Sequence, residues 1–160
     1  MYLPLPMNSK CVITGDTRGI GKTFKEHLES KGWQVIGFNT STGLDSLIEA
    51  AIDCDLFINN AYADGQQIKF LNELHDKVKK MIVCGSVAAF YPDPKLPVYS
   101  EHKKELANRV KELLNPNILM LHLSAKGYNN REALMKIVDL WLEFSTFTEV
   151  FFDPTGTPNE

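Results

Sequence analysis

Short apolar runs alternate with longer amphipathic segments along most of the chain. The runs are rich in β-branched residues, and glycine or a small polar residue follows most of them, a pattern typical of buried β-strands. Their apolar character is continuous rather than alternating, which indicates strands covered on both faces. Six strands are predicted, at residues 11–14, 34–38, 56–58, 81–84, 118–123 and 149–152.

The segments between these runs carry apolar side chains at helical spacing. Phe70, Leu71, Leu74 and Val78, for example, would share one face of a helix. Residues 90–97 hold three prolines and are predicted as a loop. Five helices are predicted, at residues 19–30, 44–52, 68–79, 98–114 and 130–144.

Strands that alternate with helices favour parallel pairing through right-handed crossovers. The sequence therefore predicts an α/β fold, a three-layer doubly wound parallel sheet, in a single domain. We expect this domain to span residues 10–154, after an N-terminal leader at 1–9 and before a flexible tail at 155–160. In such a sheet the ligand lies beyond the carboxyl ends of the strands.

Composition excludes several classes of protein. The net charge of −3 over 160 residues gives no electrostatic reason to expect nucleic acid or an anionic membrane as partner. No apolar run approaches the roughly 20 residues that a membrane span needs. The three cysteines have no framework spacing, so each is expected to be a small buried apolar residue. Without a convincing signal peptide, the protein is expected to be cytoplasmic.

The strongest local motif is the glycine-rich turn Thr-Gly-Asp-Thr-Arg-Gly-Ile-Gly at residues 14–21. It joins the first predicted strand to the first predicted helix, the context in which such turns bind a dinucleotide pyrophosphate. Glycines allow the phosphates to approach the backbone, and the N–H groups of the helix N-terminus favour the anion. The predicted cofactor-binding residues of the turn are Gly15, Thr17, Arg18, Gly19, Ile20 and Gly21.

The end of the second strand bears on the choice of nucleotide. NAD-binding domains place an acid there to accept from the ribose hydroxyls. This chain has Asn39, Thr40 and Ser41 instead, whose amide and hydroxyls can donate to a 2′-phosphate. Arg18 adds a cation and a planar set of donors. The predicted cofactor is therefore NADP(H), with NAD(H) as the less favoured alternative.

Three further landmarks follow the turn in order. Asn59-Asn60-Ala61 ends one strand, Ser86 ends the next, and Tyr99-x-x-x-Lys103 opens a long helix. Together with the glycine turn, these motifs resemble the short-chain dehydrogenase/reductase family over nearly the whole chain, in a shortened form. The resemblance implies a Rossmann-type NAD(P)-binding fold and hydride transfer between nicotinamide and a ketone, an aldehyde or a secondary alcohol.

The resemblance also implies the roles of individual residues. Tyr99 would exchange a proton with the substrate oxygen, Lys103 would lower the pKa of Tyr99 and bind the nicotinamide ribose, and Ser86 would hydrogen-bond the substrate carbonyl. Tyr99 and Lys103 share one helix face because they are four residues apart. Asn59, Asn60, Ala61, Tyr99 and Lys103 complete the predicted cofactor-binding residues.

Neither His102 nor His122 is predicted to be a catalyst, and no metal site is expected. His102 would point away if Tyr99 and Lys103 share a face, and His122 lies within a strand. No cluster of histidine, cysteine and carboxylate residues has the spacing of metal ligands.

The chain departs from the family pattern in two places. The segment between Ala61 and Ser86 is abbreviated. In the family this segment supplies a further asparagine from a helix, and Asn72 is the only candidate for that role here. Residues 124–128, Ser-Ala-Lys-Gly-Tyr, replace the start of the usual substrate lid. The abbreviated segment normally contributes to subunit contacts, so a homodimer stays an open expectation.

Three functions remain open from the sequence. The first is an NADPH-dependent carbonyl reductase or alcohol dehydrogenase acting on a small molecule. The second is a regulatory protein that binds NADP(H) without turnover, which the missing lid would suit. The third is a redox-neutral enzyme on the same scaffold, such as an epimerase or dehydratase, which would use Tyr99 but regenerate its cofactor.

Overall fold

A six-stranded parallel sheet forms the centre of the molecule. The structure is a computed structural model, which describes residues 8–39, 43–124 and 129–153. Within these residues the strands are ordered β2-β1-β3-β4-β5-β6, and every neighbouring pair is parallel. The strands are β1 (Lys10–Thr14), β2 (Gln34–Phe38), β3 (Leu56–Asn59), β4 (Met81–Ser86), β5 (Ile118–Leu123) and β6 (Glu149–Phe152).

Five α-helices cover the two faces of this sheet. They are α1 (Gly19–Ser30), α2 (Leu44–Ala51), α3 (Gln67–Leu74), α4 (Pro97–Leu113) and α5 (Arg131–Phe144). Buried side chains of α1 and α5 form one apolar cluster with the sheet, and those of α2, α3 and α4 form the other. These three layers confirm the predicted α/β fold, a doubly wound sheet of the Rossmann type.

The central strands supply both clusters, because successive side chains point to opposite faces. In β1, Cys11 and Ile13 pack with α1 and α5, whereas Val12 packs with the opposite helices. The outer strands β2 and β6 contain only exposed and half-buried residues, as expected at the edges of a sheet. All three cysteines are buried free thiols, as predicted.

Helix α3 is shorter than its periodicity predicted, ending at Leu74 rather than at residue 79. After His75 the chain turns to pair with the segment before β3: Lys77 accepts from the Asp53 amide, and the Lys79 amide donates to Cys54. These long-range bonds override the helical pattern. Val78 nevertheless packs against the core, as the periodicity indicated.

Two further differences concern helix starts and short turns. Helix α4 begins at Pro97, which the sequence analysis assigned to the loop; the missing N–H of proline costs nothing at a first helical position. Short 3₁₀ turns at Ala63–Gly65 and Val87–Ala89 follow β3 and β4. Both turns pack on α4, and they bring the carboxyl ends of β3 and β4 against that helix.

The strand order reverses between β1 and β3, because the chain first passes from β1 to β2 and then returns to the other side of β1. In doubly wound sheets, ligands bind beyond the carboxyl ends of the strands at this reversal. The usual order 3-2-1-4-5-6 has one more strand beyond the second. Here β2 is the edge among the described residues, because the segment after β2 forms α2 and runs directly into β3.

Several expectations concern residues outside the described part of the chain. They are most of the leader, the tail at 155–160, Thr40, Ser41 and the segment 125–128. Among the residues that the structure describes, none of the helices is both long and apolar enough to cross a membrane.

The close contact between α1 and the glycine turn gives a test of this fold. A Cβ at Gly21 would collide with the carbonyl of Gly15 and lie 2.7 Å from the Asn60 amide, whereas a Cβ at Gly43 would meet nothing within 4 Å. We expect Gly21→Ala to lower the free energy of unfolding by about 1–3 kcal/mol, the usual cost of overpacking. Gly43→Ala should change it by well under about 1 kcal/mol. Urea unfolding of both variants without nucleotide measures the difference, and equal effects would contradict the packing described.

Candidate functional site

The glycine turn takes backbone conformations that favour glycine. Gly15 and Gly19 have φ angles of +73° and +60°. The Gly15 amide donates to the Phe38 carbonyl at 2.8 Å, which ties the turn to the end of β2. Gly21 lies directly against the Gly15 carbonyl and leaves no room for a side chain. The three glycines therefore have separate roles, two in backbone conformation and one in packing.

The N-terminus of α1 is open to an anion. The first turn of the helix contains no acid, and Arg18, the N-cap residue, makes no capping hydrogen bond with its side chain. Thr17, Arg18 and Gly19 are exposed, and the first helical N–H groups have no partner within the helix. The side chain of Ile20 is buried in the core. Its predicted contact with the cofactor would therefore be made by its backbone, in the first turn of α1.

The segment after β3 is bonded to the glycine turn. The amides of Asn60 and Ala61 both donate to Thr14 Oγ1 at 3.0 Å. The Asn60 side-chain nitrogen donates to the carbonyls of Thr14 and Gly15, each at 3.1 Å. Asn60 and Ala61 thus shape the cleft wall by holding the turn in place.

One acid lies at the end of β2 although the strand itself carries none there. The carboxylate of Asp16 packs directly on Gly37, where a Cβ would overlap it. Lys25 on α1 donates to this carboxylate at 3.3 Å. This acid was not predicted from the residues at the strand end, because it comes from the glycine turn. The signal available in the sequence was an acid within the glycine turn together with a glycine, Gly37, near the end of the neighbouring strand.

A shallow pocket, open to solvent, lies at the reversal of strand order. Phe38, Leu47, Ala61 and Phe70 give it apolar walls, and Asn39 is one of its polar lining residues. Thr40 and Ser41, predicted with Asn39 to bind the cofactor, lie outside the described residues.

Tyr99 and Lys103 occupy one face near the start of α4. Lys103 Nζ lies 5.5 Å from the centre of the Tyr99 ring. The lysine is only 4% exposed, and its Nζ donates to Gln67 Oε1 at 2.7 Å and to the Cys84 carbonyl at 2.9 Å. The predicted pair is therefore brought together, with the charged group enclosed between α3, β4 and α4.

Burial determines the titration of this lysine. Desolvation of the ammonium lowers the pKa of Lys103 to about 8. The acceptors at hydrogen-bond distance are a neutral amide and a backbone carbonyl, which solvate the charge without neutralising it. Lys103 is thus held as a cation near neutral pH, close to the pH at which it loses its proton.

Ser86 ends β4, two residues after the carbonyl that Lys103 contacts. It is buried, and its Oγ accepts from the Ala88 amide at 3.1 Å, which starts the 3₁₀ turn Val87–Ala89. Because that turn packs on α4, Ser86 lies at the same carboxyl edge of the sheet as Tyr99 and Lys103. A hydroxyl that accepts this bond keeps its own proton for a further acceptor.

Gln67, the first residue of α3, is a part of the site that sequence reasoning missed. It is 2% exposed, and its Nε2 donates to the carbonyls of Asn59 and Cys84, each at 2.9 Å. In return Asn59 Nδ2 donates to the Gln67 carbonyl at 2.8 Å. Asn59 was predicted to bind cofactor, but it is fully buried beneath the cleft, and its side chain holds Gln67.

The prediction that His102 points away from the site is wrong. Its Nδ1 lies 2.7 Å from the Tyr62 hydroxyl, and the Tyr62 ring packs edge-on against Tyr99 with centroids 4.9 Å apart. A residue three positions after Tyr99 is also its neighbour on the helix surface. Gly65 makes room, because a Cβ there would lie 2.7 Å from His102 Nδ1. His122 is buried in β5 and contacts Glu149 at 3.0 Å.

Asn72 lies away from these groups. It is exposed on α3 and accepts from Arg109 Nε at 2.8 Å. Arg109 is ten residues beyond Tyr99, which is about 15 Å along a helix. The structure therefore does not bring Asn72 to the part of α4 that carries Tyr99 and Lys103.

Comparison with known proteins gives matches by structure and none by sequence. No protein-family model matches the chain, and no curated protein matches it. The 3-ketoacyl-(acyl-carrier-protein) reductase from Brucella melitensis, complexed with NADH, is 14% identical with a TM-score of 0.71, covering 94% of this chain and 99% of that one. A short-chain dehydrogenase/reductase from Serratia marcescens is 16% identical with a TM-score of 0.68, covering 91% and 97%.

A third solved structure is the 3-alpha-hydroxysteroid dehydrogenase from Pseudomonas sp. B-0831, complexed with NADH. It is 18% identical with a TM-score of 0.62, covering 91% of this chain and 95% of that one. The resemblance to the short-chain dehydrogenase/reductase family is therefore confirmed at the level of the fold.

The lowered pKa of Lys103 makes stability depend on pH. Between about pH 8 and pH 10.5 the unfolded chain binds more protons at this residue than the folded chain does, so its contribution to stability rises with pH. We expect the stability of the wild type relative to Lys103→Met to increase by about 2 kcal/mol from pH 7 to pH 10. Urea unfolding at both pH values measures this, and exposed Lys104→Met controls for removal of a lysine. A relative stability that stays constant or falls would contradict the burial of the charge.

Proposed function

We propose that this chain is an NADPH-dependent oxidoreductase of the short-chain dehydrogenase/reductase family that interconverts a carbonyl compound and its alcohol. One observation carries the proposal: the Tyr99–Lys103 pair lies on the helix that packs against the turn begun by Ser86, at the carboxyl edge of a sheet whose first turn can receive a dinucleotide. The tyrosine–lysine pair alone, or the glycine turn alone, occurs in proteins of other function. Their combination within one cleft supports hydride transfer.

The structural neighbours support the same class of chemistry. Two of them are named as a ketoacyl reductase and a hydroxysteroid dehydrogenase, and both were solved with NADH. A fold can host unrelated functions, so the weight of the proposal rests on the site rather than on the neighbours.

The residues present fit a nicotinamide dinucleotide. The uncapped N-terminus of α1 suits a pyrophosphate, because its N–H groups and dipole favour an anion and no acid in the first turn opposes one. Gly21 leaves the close approach that such a turn needs. The pocket with Phe38, Leu47 and Asn39 would take the adenosine end. When bound, the nicotinamide supplies or accepts the hydride.

The protein side chains move the proton and orient the carbonyl. The Lys103 ammonium lies 5.5 Å from the centre of the Tyr99 ring, so its positive charge can stabilise negative charge that develops while a proton passes between that hydroxyl and the substrate oxygen. The free hydrogen of Ser86 can donate to the same oxygen and stabilise the charge that develops on it. The remaining N–H of Lys103 can bind a ribose hydroxyl.

Tyr62 is the rival phenol, since Lys103 Nζ lies 5.8 Å from its ring and 5.5 Å from that of Tyr99. The Tyr62 hydroxyl is already paired with His102 at 2.7 Å. Burial, together with the charges of Asp64 and Tyr99, raises the pKa of Tyr62. A phenol that loses its proton less readily is the poorer acid–base catalyst, so the role is assigned to Tyr99.

The preference for NADPH rests on Arg18 and on the state of Asp16. Arg18 is exposed in the turn, where its guanidinium can bind a 2′-phosphate. The Asp16 carboxylate would repel that phosphate, but it is 11% exposed and paired with Lys25. The net charge of the three groups is positive, which favours the phosphorylated cofactor.

The first experiment titrates the purified protein with NADPH and NADH, following nicotinamide fluorescence, and then adds a panel of ketones and aldehydes to the tighter complex. Tighter NADPH binding followed by its oxidation is the expected result. Binding without oxidation would favour a regulatory or redox-neutral role. Failure to bind either nucleotide would overturn the proposal.

Removing one hydroxyl tests the catalytic assignment. We expect Tyr99→Phe to retain nucleotide affinity within about twofold while reducing turnover by about 100-fold or more, because the positioned acid–base group is lost. Tyr62→Phe is the matched comparison, and its turnover should fall less than about tenfold. Steady-state rates and fluorescence titrations give both values. A larger loss in Tyr62→Phe than in Tyr99→Phe would reverse the assignment.

Cofactor preference is tested at the turn. Arg18→Ala should weaken NADPH binding by about 10- to 100-fold, the effect of losing a charged hydrogen bond, and should weaken NADH binding less than about threefold. The control is Lys22→Ala, which removes an exposed lysine of α1 paired with Glu26. Dissociation constants for both nucleotides measure the effect. Equal losses for NADPH and NADH would refute contact with the 2′-phosphate.

A further inference from the structure

Gln67 is the one side chain at hydrogen-bond distance from the Lys103 ammonium, among the hydrogen bonds of the described residues. The other acceptor of Lys103 is a backbone carbonyl of β4. An ammonium has three N–H donors, and these two acceptors use two of them. The third is left for a group in the cleft.

The orientation of the Gln67 amide is fixed by its own partners. Both of its N–H groups are used, one by the Asn59 carbonyl and one by the Cys84 carbonyl. If the amide were reversed, its NH₂ group would face the ammonium and its oxygen would face two carbonyls. Only the observed orientation presents an oxygen to Lys103. The side chain is also 2% exposed, so water does not compete for that oxygen.

The backbone of Gln67 is held as firmly as its side chain. Asn59 Nδ2 donates to the Gln67 carbonyl at 2.8 Å, so the two residues bond each other in both directions. The Cys84 carbonyl accepts from both Gln67 and Lys103. The amide therefore joins β3, β4, α3 and α4 at the place where the ammonium must be kept.

From this geometry we infer that Gln67 is a positioning residue, which holds the Lys103 ammonium in the orientation that serves Tyr99. The effect on catalysis rests on the proposed function, whereas the hold of Gln67 on the Lys103 ammonium does not. Gln67 acts through Lys103 and is assigned no contact with substrate.

Few other titratable groups lie around the Lys103 ammonium in the described part of the chain. The titratable groups that face it are Tyr62 from the segment after β3, Cys84 from β4 and Tyr99 from its own helix. Burial raises the pKa of the Cys84 thiol to about 12, so the thiol is uncharged at neutral pH. Without a carboxylate among these groups, a change at Gln67 should appear directly in the titration of Lys103.

Two substitutions should move that titration in opposite directions. Gln67→Met keeps the length of the side chain but removes the acceptor, so the pKa of Lys103 should fall by about one unit or more. Gln67→Glu adds a negative charge at hydrogen-bond distance, so the pKa should rise by about one unit or more. A merely structural role predicts no such reversal of sign between the two variants.

The measurement is NMR of the protein without nucleotide, with ¹³C-labelled lysine and the Lys103→Met spectrum for assignment. Asn72→Asp is the control, because it adds a charge to the same helix at an exposed position beside Arg109; it should shift Lys103 by less than about 0.3 unit. Opposite shifts in the Gln67 variants support the inference. Unchanged titration, or shifts of the same sign, would overturn it. If Gln67→Met does not fold, the shift in Gln67→Glu decides.

Activity then tests the catalytic consequence. In the direction of alcohol oxidation, the fall of kcat at alkaline pH should move upward by about one unit in Gln67→Glu, because Lys103 then keeps its charge to higher pH. Gln67→Met should lower kcat by about tenfold or more with a smaller change in KM. NMR shifts without these kinetic changes would refute the catalytic part alone. If the wild type has no turnover, the proposed function fails, while the NMR result still decides whether Gln67 holds the ammonium.

Discussion

The burial of one ammonium group, that of Lys103, is the constraint on which the candidate site depends. The Lys103 charge is almost fully removed from water, and an isolated charge in such surroundings costs far more free energy than a protein can spare. It persists because Gln67 and the Cys84 carbonyl replace the lost water. Meeting that constraint sets where α3 begins, how β3 and β4 end, and which face α4 turns toward the cleft.

The fold could be predicted because its signals are local. Each strand is a short apolar run, and the glycine turn has its full sequence within eight residues. The end of α3 could not be predicted in this way. It is determined by bonds between residues 77–79 and residues 53–54, more than twenty positions away, and no periodicity within the helix reports them.

The site was accessible from sequence to the extent that its residues form motifs. Tyr99 and Lys103 are linked by helical spacing, and Ser86 by its place after a strand. Gln67 belongs to no such pattern, because its partners lie 8, 17 and 36 residues away. The contact of Tyr62 with His102 spans 40 residues. Polar residues that act through distant partners look like ordinary surface positions until the fold brings them together.

The bonds from Asn60 and Ala61 to Thr14 have a consequence for affinity. Because they hold the glycine turn from within the protein, the turn is preorganised, and the entropy of ordering it is lost during folding rather than on binding. A ligand then meets one conformation instead of selecting it from many. A change at Thr14 would reduce the fraction of molecules that are competent to bind, and apparent affinity would fall in proportion, although Thr14 Oγ1 itself is occupied by the amides of Asn60 and Ala61.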